Sequence, residues 1–283
     1  MAALIAFASV GALLIQPTVA SAQSSMIDNI LNSALPSSNT NDNNQPSQEN
    51  GSSSSSAVPL STSLSCGQVI KQSVKLTANL DCKTDGIIVG ADGITIDLNG
   101  FTLSGPGDKS SKVGVMFADN DGVTVQGPGT IQNFQAGALF SGGEDNKISR
   151  VTFTENEIAV FETGSKNVVI EDNLLFGNSI GVAAHSSSGS KLTTNLFKSN
   201  DLAGVTLVNS AGNELSMNTI QGSVNGIFLD GQSTKNSVDS NNVLQNRGVD
   251  LNNGNGLPTN INDNVFGDND CNTSVPDGLC LGR

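Results

Sequence analysis

The sequence predicts an all-β solenoid, a parallel β-helix of about eight or nine coils. Three observations predict it. A Gly followed by a β-branched or small apolar residue recurs every 22 or 23 residues, as Gly114-Val115, Gly137-Ala138, Gly181-Val182, Gly204-Val205, Gly226-Ile227 and Gly248-Val249, with Ala159-Val160 filling the one gap. Two further apolar columns keep the same step: Ile148, Ile170, Leu192, Leu215, Val238, Ile261 and Phe153, Leu175, Phe197, Ile220, Val243, Phe266. Polar residues repeat as strictly, in the columns Asn173, Asn195, Asn218, Asn241, Asn264 and Asn156, Asn178, Asn200, Ser223, Asn246, Asn269. Three short strands per period bury their apolar side chains only if each coil stacks on the one before. Leucine-rich repeats share the period but need a dense Leu consensus, which this chain lacks.

Each element of the chain has its own justification. Residues 1–22 read as a signal peptide: Ala2 to Ile15 is an apolar run, and Ala20-Ser21-Ala22 offers small residues for cleavage. The run breaks at Gln16-Pro17, too short for a membrane span, and no later segment is apolar enough to be one. Residues 23–63, rich in Ser, Asn, Gln and Pro, cannot bury enough apolar surface to offset their conformational entropy and are expected to be a disordered tether. Residues 64–283 form the β-helix domain. Its Asn columns suit the corners between strands, because Asn tolerates left-handed backbone and its stacked amides satisfy one another along the axis. The four cysteines lie as Cys66 and Cys82 at one end and Cys271 and Cys280 at the other. Of the three pairings that four cysteines allow, the separation of the two ends favours Cys66–Cys82 and Cys271–Cys280.

At this point the chain resembles the right-handed parallel β-helix proteins, a group that includes pectate lyases, polygalacturonases, alginate epimerases and NosD-like copper-maturation proteins. The segment from Cys66 to Gly105 carries the resemblance, above all Gly90-Ala91-Asp92-Gly93-Ile94-Thr95-Ile96-Asp97-Leu98-Asn99-Gly100-Phe101-Thr102-Leu103. It looks like the opening coil of secreted β-helix repeat proteins. The stretch from Asn269 to Cys280 looks like their closing segment. The resemblance covers residues 64 to 283 and implies a right-handed coil. It implies little about activity, since one architecture hosts many chemistries.

Within that group the strand after the second Asn column lines the substrate groove. Here the outward residues of that strand are Met116, Leu139, Phe161, Ala183, Thr206, Phe228 and Asp250. This column is the expected ligand face, unless a loop, the tether or another chain covers it. Glu157 and Asp201, near the second Asn corner on neighbouring coils, are the candidate catalytic carboxylates; they are equally solvated turn residues. The group's polygalacturonase, epimerase and pectate-lyase motifs are absent.

Composition narrows the function further. The formal net charge is −13 with 13 Lys plus Arg, so polyanionic glycans are repelled and nucleic acid is not an expected partner. There is no Trp and no Tyr, the residues that most often stack on sugar rings. No cofactor is expected, and no motif supports Ca²⁺. His185 with Met116 and Met217 makes no soft-ligand cluster for copper, and the cysteine spacing does not suit zinc. The sequence therefore favours an exported, non-catalytic β-helix that binds or scaffolds at the cell surface, with extracellular polysaccharide as the partner. The alternative is a divergent polysaccharide lyase, hydrolase or epimerase; a copper-related role stands third.

Overall fold

A computed structural model describes residues 64–281. The expected signal peptide and tether lie outside the described residues. The rest coils through about nine turns, each laying one short strand into each of three parallel sheets. The first sheet has 10 strands, beginning with Gln68–Ile70; the second and third have nine each, beginning with Val74–Lys75 and Leu80–Asp81. Every strand pairs in parallel with its equivalents one coil before and after. Among the described residues the one helical element is the short 3-10 turn Thr259–Ile261. Among the described residues no helix is long and apolar enough to cross a membrane.

The predicted columns are the walls of the interior. Val160, Val182 and Val205 stack in the first sheet, Ile148, Ile170 and Leu192 in the second, and Phe153, Leu175 and Phe197 in the third. All nine are fully buried. Phe117 and Phe140 stack with ring centroids 4.2 Å apart inside the early coils. The recurrent glycine is explained by what lies beside it. A Cβ at Gly181 would stand 2.5 Å from the Gly204 carbonyl oxygen and 2.6 Å from Cδ1 of Phe197, so coils approach too closely for a side chain there.

The Asn columns are hydrogen-bond ladders, with their corner role altered. Asn178 Oδ1 accepts from the Asn156 backbone N–H at 3.0 Å and from its side-chain amide at 3.1 Å. In turn the Asn178 amide donates to the Phe153 carbonyl at 3.2 Å and to Asn200 Oδ1 at 3.1 Å. The left-handed residue is not the Asn, however. It is the one immediately before: Glu155, Gly177 and Ser199 precede Asn156, Asn178 and Asn200, with φ of 56°, 66° and 52°. The preceding residue turns the chain, and the Asn side chain then satisfies the backbone groups that the turn leaves free.

The constant step fails at the last coil. Val238 pairs with Phe266 and Val243 with Cys271, so Phe266 belongs to the second-sheet column and Ile261 to neither. Asn241 is received by Asn269, while Asn264 continues a third ladder through Asn213 and Asn236 that the repeat had not disclosed. The cause is the segment 254–262, which lengthens this coil and puts Ile261 into solvent at 61% exposure. Disulfides Cys66–Cys82 and Cys271–Cys280 close the two ends, as the sequence favoured.

Candidate functional site

The three sheets present three outer faces of different chemistry. The second sheet's is charged: Lys147 pairs with Glu171 at 2.6 Å, Lys75 with Asp97 at 3.3 Å and Lys191 with Glu214 at 3.6 Å. These exposed pairs lie across neighbouring coils and contribute little stability. The third sheet's carries charge only at Asp81, Lys198 and Asp270. Between its first and last strands the outward positions are Thr102 and Ser104, Thr130 and Gln132, Thr152 and Thr154, Leu174 and Phe176, Leu196 and Lys198, Thr219 and Gln221, and Asn242. Gln132 donates to Ser104 Oγ at 3.1 Å along this face, and Phe176 stands 40% exposed beside Leu196 at 38%.

The first sheet carries the expected ligand column, and that column is closed. Leu139 and Phe161 point outward yet are 1% and 0% exposed, and Phe228 is 5% exposed; Met116 alone is half-buried. Asp250 does not belong to the column. Phe228 pairs with Asn252, and Asp250 takes the glycine position beside Gly226. Asp250 lies four positions after Asn246, whereas Gly226 lies three after Ser223, so the alternation shifts. The Asp250 carboxylate is spent on structure: it accepts from the Asn246 side chain at 2.9 Å and from the backbone N–H groups of Asn272 and Thr273 at 2.9 and 3.1 Å.

Glu157 and Asp201 are not on neighbouring coils. Ser179 occupies the coil between them, because Asn156, Asn178 and Asn200 are successive rungs of one ladder. Their backbones therefore stand roughly 10 Å apart. Glu157 is ion-paired with Lys109 at 3.5 Å, and Arg247 Nη2 donates to the Asp201 carbonyl at 2.6 Å. Glu157 is thus engaged through its carboxylate and Asp201 only through its backbone carbonyl.

A titratable group that the sequence reading passed over is Glu162. It points into the solenoid in register with Phe140 and Ala184 and is fully buried. Ser190 donates to its Oε2 at 2.7 Å and Ser165 lies at 3.5 Å, while Oε1 has no partner. Burial pushes its pKa up to about 7, against the two serine hydrogen bonds, which favour the charged form. Its signal was readable: if Phe161 faces out, its neighbour must face in.

A second cluster lies at a corner of the coil, where Asp119, Asp121, Glu144 and Lys166 line a shallow trough of about 320 Å³ with three glycines. Asp121 Oδ1 accepts the Glu144 backbone N–H at 2.8 Å, so the trough is a set of stacked turns.

Residues 78–278 match the model of the family described as periplasmic copper-binding protein (NosD), and the chain belongs to that family. No curated protein matches it in sequence. Among solved structures, the Dettilon tailspike protein is 16% identical over 67% of this chain and 43% of its own, with a TM-score of 0.49. The hyperthermoactive exopolygalacturonase of Thermotoga maritima is 9% identical over 71% of this chain and 70% of its own, with a TM-score of 0.38. The catalytic domain of a GH87 α-1,3-glucanase is 11% identical over 79% of this chain and 61% of its own, with a TM-score of 0.41. The chain thus spans less than half the length of the tailspike. At these identities the likeness is one of fold.

The family's description raises copper, and the donor set among the described residues does not fit it. All four thiols are locked in disulfides. His185 ends the strand Ile180–His185, Met116 lies three coils earlier in the same sheet, and Met217 is in a turn after the second-sheet strand Glu214–Ser216. Soft-metal capture needs such ligands on one point, and these are dispersed.

Proposed function

We propose that this member of the NosD family is an exported envelope scaffold that holds an uncharged polysaccharide against its third sheet without cleaving it. The observation that carries this reading is the chemistry of that face. Hydroxyl and amide side chains repeat there in two columns at the coil spacing, flanking an exposed phenyl ring. Hydroxyls and amides both donate and accept, which suits the hydroxyls of a neutral sugar chain, and Phe176 supplies a surface for a sugar ring. The net charge of −13 disfavours a polyanion. Residues 1–22 serve export. Disulfides at both ends support an oxidising compartment.

A glycan array combined with a reducing-end assay tests this. Binding to neutral glycans, little changed by salt and weakened by Phe176→Ala, with no new reducing ends, is the expected outcome. Release of reducing ends that is lost in Glu157→Gln or Asp201→Asn would replace the scaffold reading with a hydrolase.

A further inference from the structure

On the outer side of the first sheet, Ala136, Leu139, Ile158, Phe161, Ile180 and Ala183 are at most 1% exposed. They form a cluster separate from the solenoid interior. All its buried members come from this one sheet, with Leu202 packed at the margin. Neighbouring side chains on a sheet shield one another's flanks and leave their tops open, so complete burial needs material above the face. These strands pack chiefly on the strands one coil before and after, and no described strand or helix crosses them to a comparable extent. Thr206, in the same column, is fully buried as well.

Beyond the described residues the sequence has 63 residues before Leu64 and two after Leu281. The longer stretch joins beside Gln68–Ile70, the first strand of this same sheet. It contains one amphipathic run: Met26, Ile27, Ile30, Leu31, Ala34 and Leu35 alternate in pairs with Asp28, Asn29, Asn32 and Ser33, ahead of Pro36. That spacing puts six apolar side chains on one helical stripe. We infer that Met26–Leu35 docks this stripe on the outer face of the first sheet, over the strands from Ala136–Ser141 to Ala203–Val208.

The dimensions agree. Ten residues at helical rise extend about 15 Å, and four strands in a sheet span about 14 Å. Residues 36–63 form a connector of 28 residues. A flexible chain of that length spans about 30 Å on average, against about 19 Å from the first strand to Ile158–Thr163. From Leu139 through Phe161 and Ala183 to Thr206 the outward column is apolar except at Thr206, so an apolar partner is matched. A short connector keeps this partner at high effective concentration, which favours it over a second copy.

The test is oxidation of the full mature chain carrying Ile30→Cys with Ala183→Cys, with Ile30→Cys plus Thr102→Cys as the control on the third sheet. An intrachain disulfide at monomer mass in the first pair, and none in the control, is the expected result. A disulfide that forms only between chains would assign the face to a second copy, and equal trapping in both pairs would show no docking; either overturns the inference. A second variant, Ile30→Asp with Leu31→Asp, leaves the solenoid sequence intact and should raise anilinonaphthalene sulfonate fluorescence several-fold. A synthetic peptide of residues 24–36 should reverse that rise. Unchanged fluorescence would equally overturn the inference.

Discussion

The outer faces of the first and third sheets arise from the same coils, with the same alternation and the same spacing. On one, Leu139, Phe161, Ile158 and Ile180 are sealed; on the other, Thr130, Gln132, Thr152 and Phe176 meet solvent. Glycines in the first-sheet strands let coils approach closely, and six-residue strands such as Ile158–Thr163 make this the broadest face of the solenoid. The third sheet has strands of two or three residues and a polar surface that needs no cover. In a solenoid, then, side-chain direction and exposure are separate properties. An outward apolar column stays stable only when something lies on it.

The largest effect expected is at Phe161. Phe161→Ala should lower unfolding stability by about 3–5 kcal/mol, as much as Phe197→Ala in the interior, because both rings are wholly buried. Denaturant melts measure both, and a Phe161 loss below about 1 kcal/mol would show that the first-sheet face is open after all.

One residue further on, Glu162 gives a pH-dependent effect. The fold favours its protonated form, so the folded state holds a proton that the unfolded chain releases as pH rises from 4.5 to about 7. Its contribution is complete below pH 4.5 and is lost as pH rises through about 7, by up to about 3 kcal/mol. Glu162→Gln should flatten that slope and make the protein more stable at pH 7.5. Melts across this range that remain parallel to wild type would place the carboxylate in contact with water.

Asn178→Ala comes next. It leaves the Asn156 N–H and the Phe153 carbonyl without their ladder partner and should cost about 1–3 kcal/mol. Calorimetry on this variant separates a ladder that holds the corner from one that merely decorates it. The smallest effect belongs to the open face: Phe176→Ala should change stability by no more than about 0.5 kcal/mol while reducing neutral-glycan binding. A stability loss like that at Phe161 would erase the contrast between the two faces.

Much of this was legible in the chain. The 22- or 23-residue step named the residues that stack, alternation named the inward columns, and the cysteines at the two ends named their own partners. Those are local or strictly periodic properties, and each coil repeats the same environment. The last coil was misread because segment 254–262 absorbs extra residues, which no constant period can anticipate. The left-handed corner residue was misplaced by one, because Asn is both a turn former and a hydrogen-bonding side chain, and only backbone angles separate the roles. Exposure was beyond the sequence altogether. Leu139 and Phe161 were readable as outward, but whether an outward side chain is wet depends on residues distant in the chain, whose placement no periodicity records.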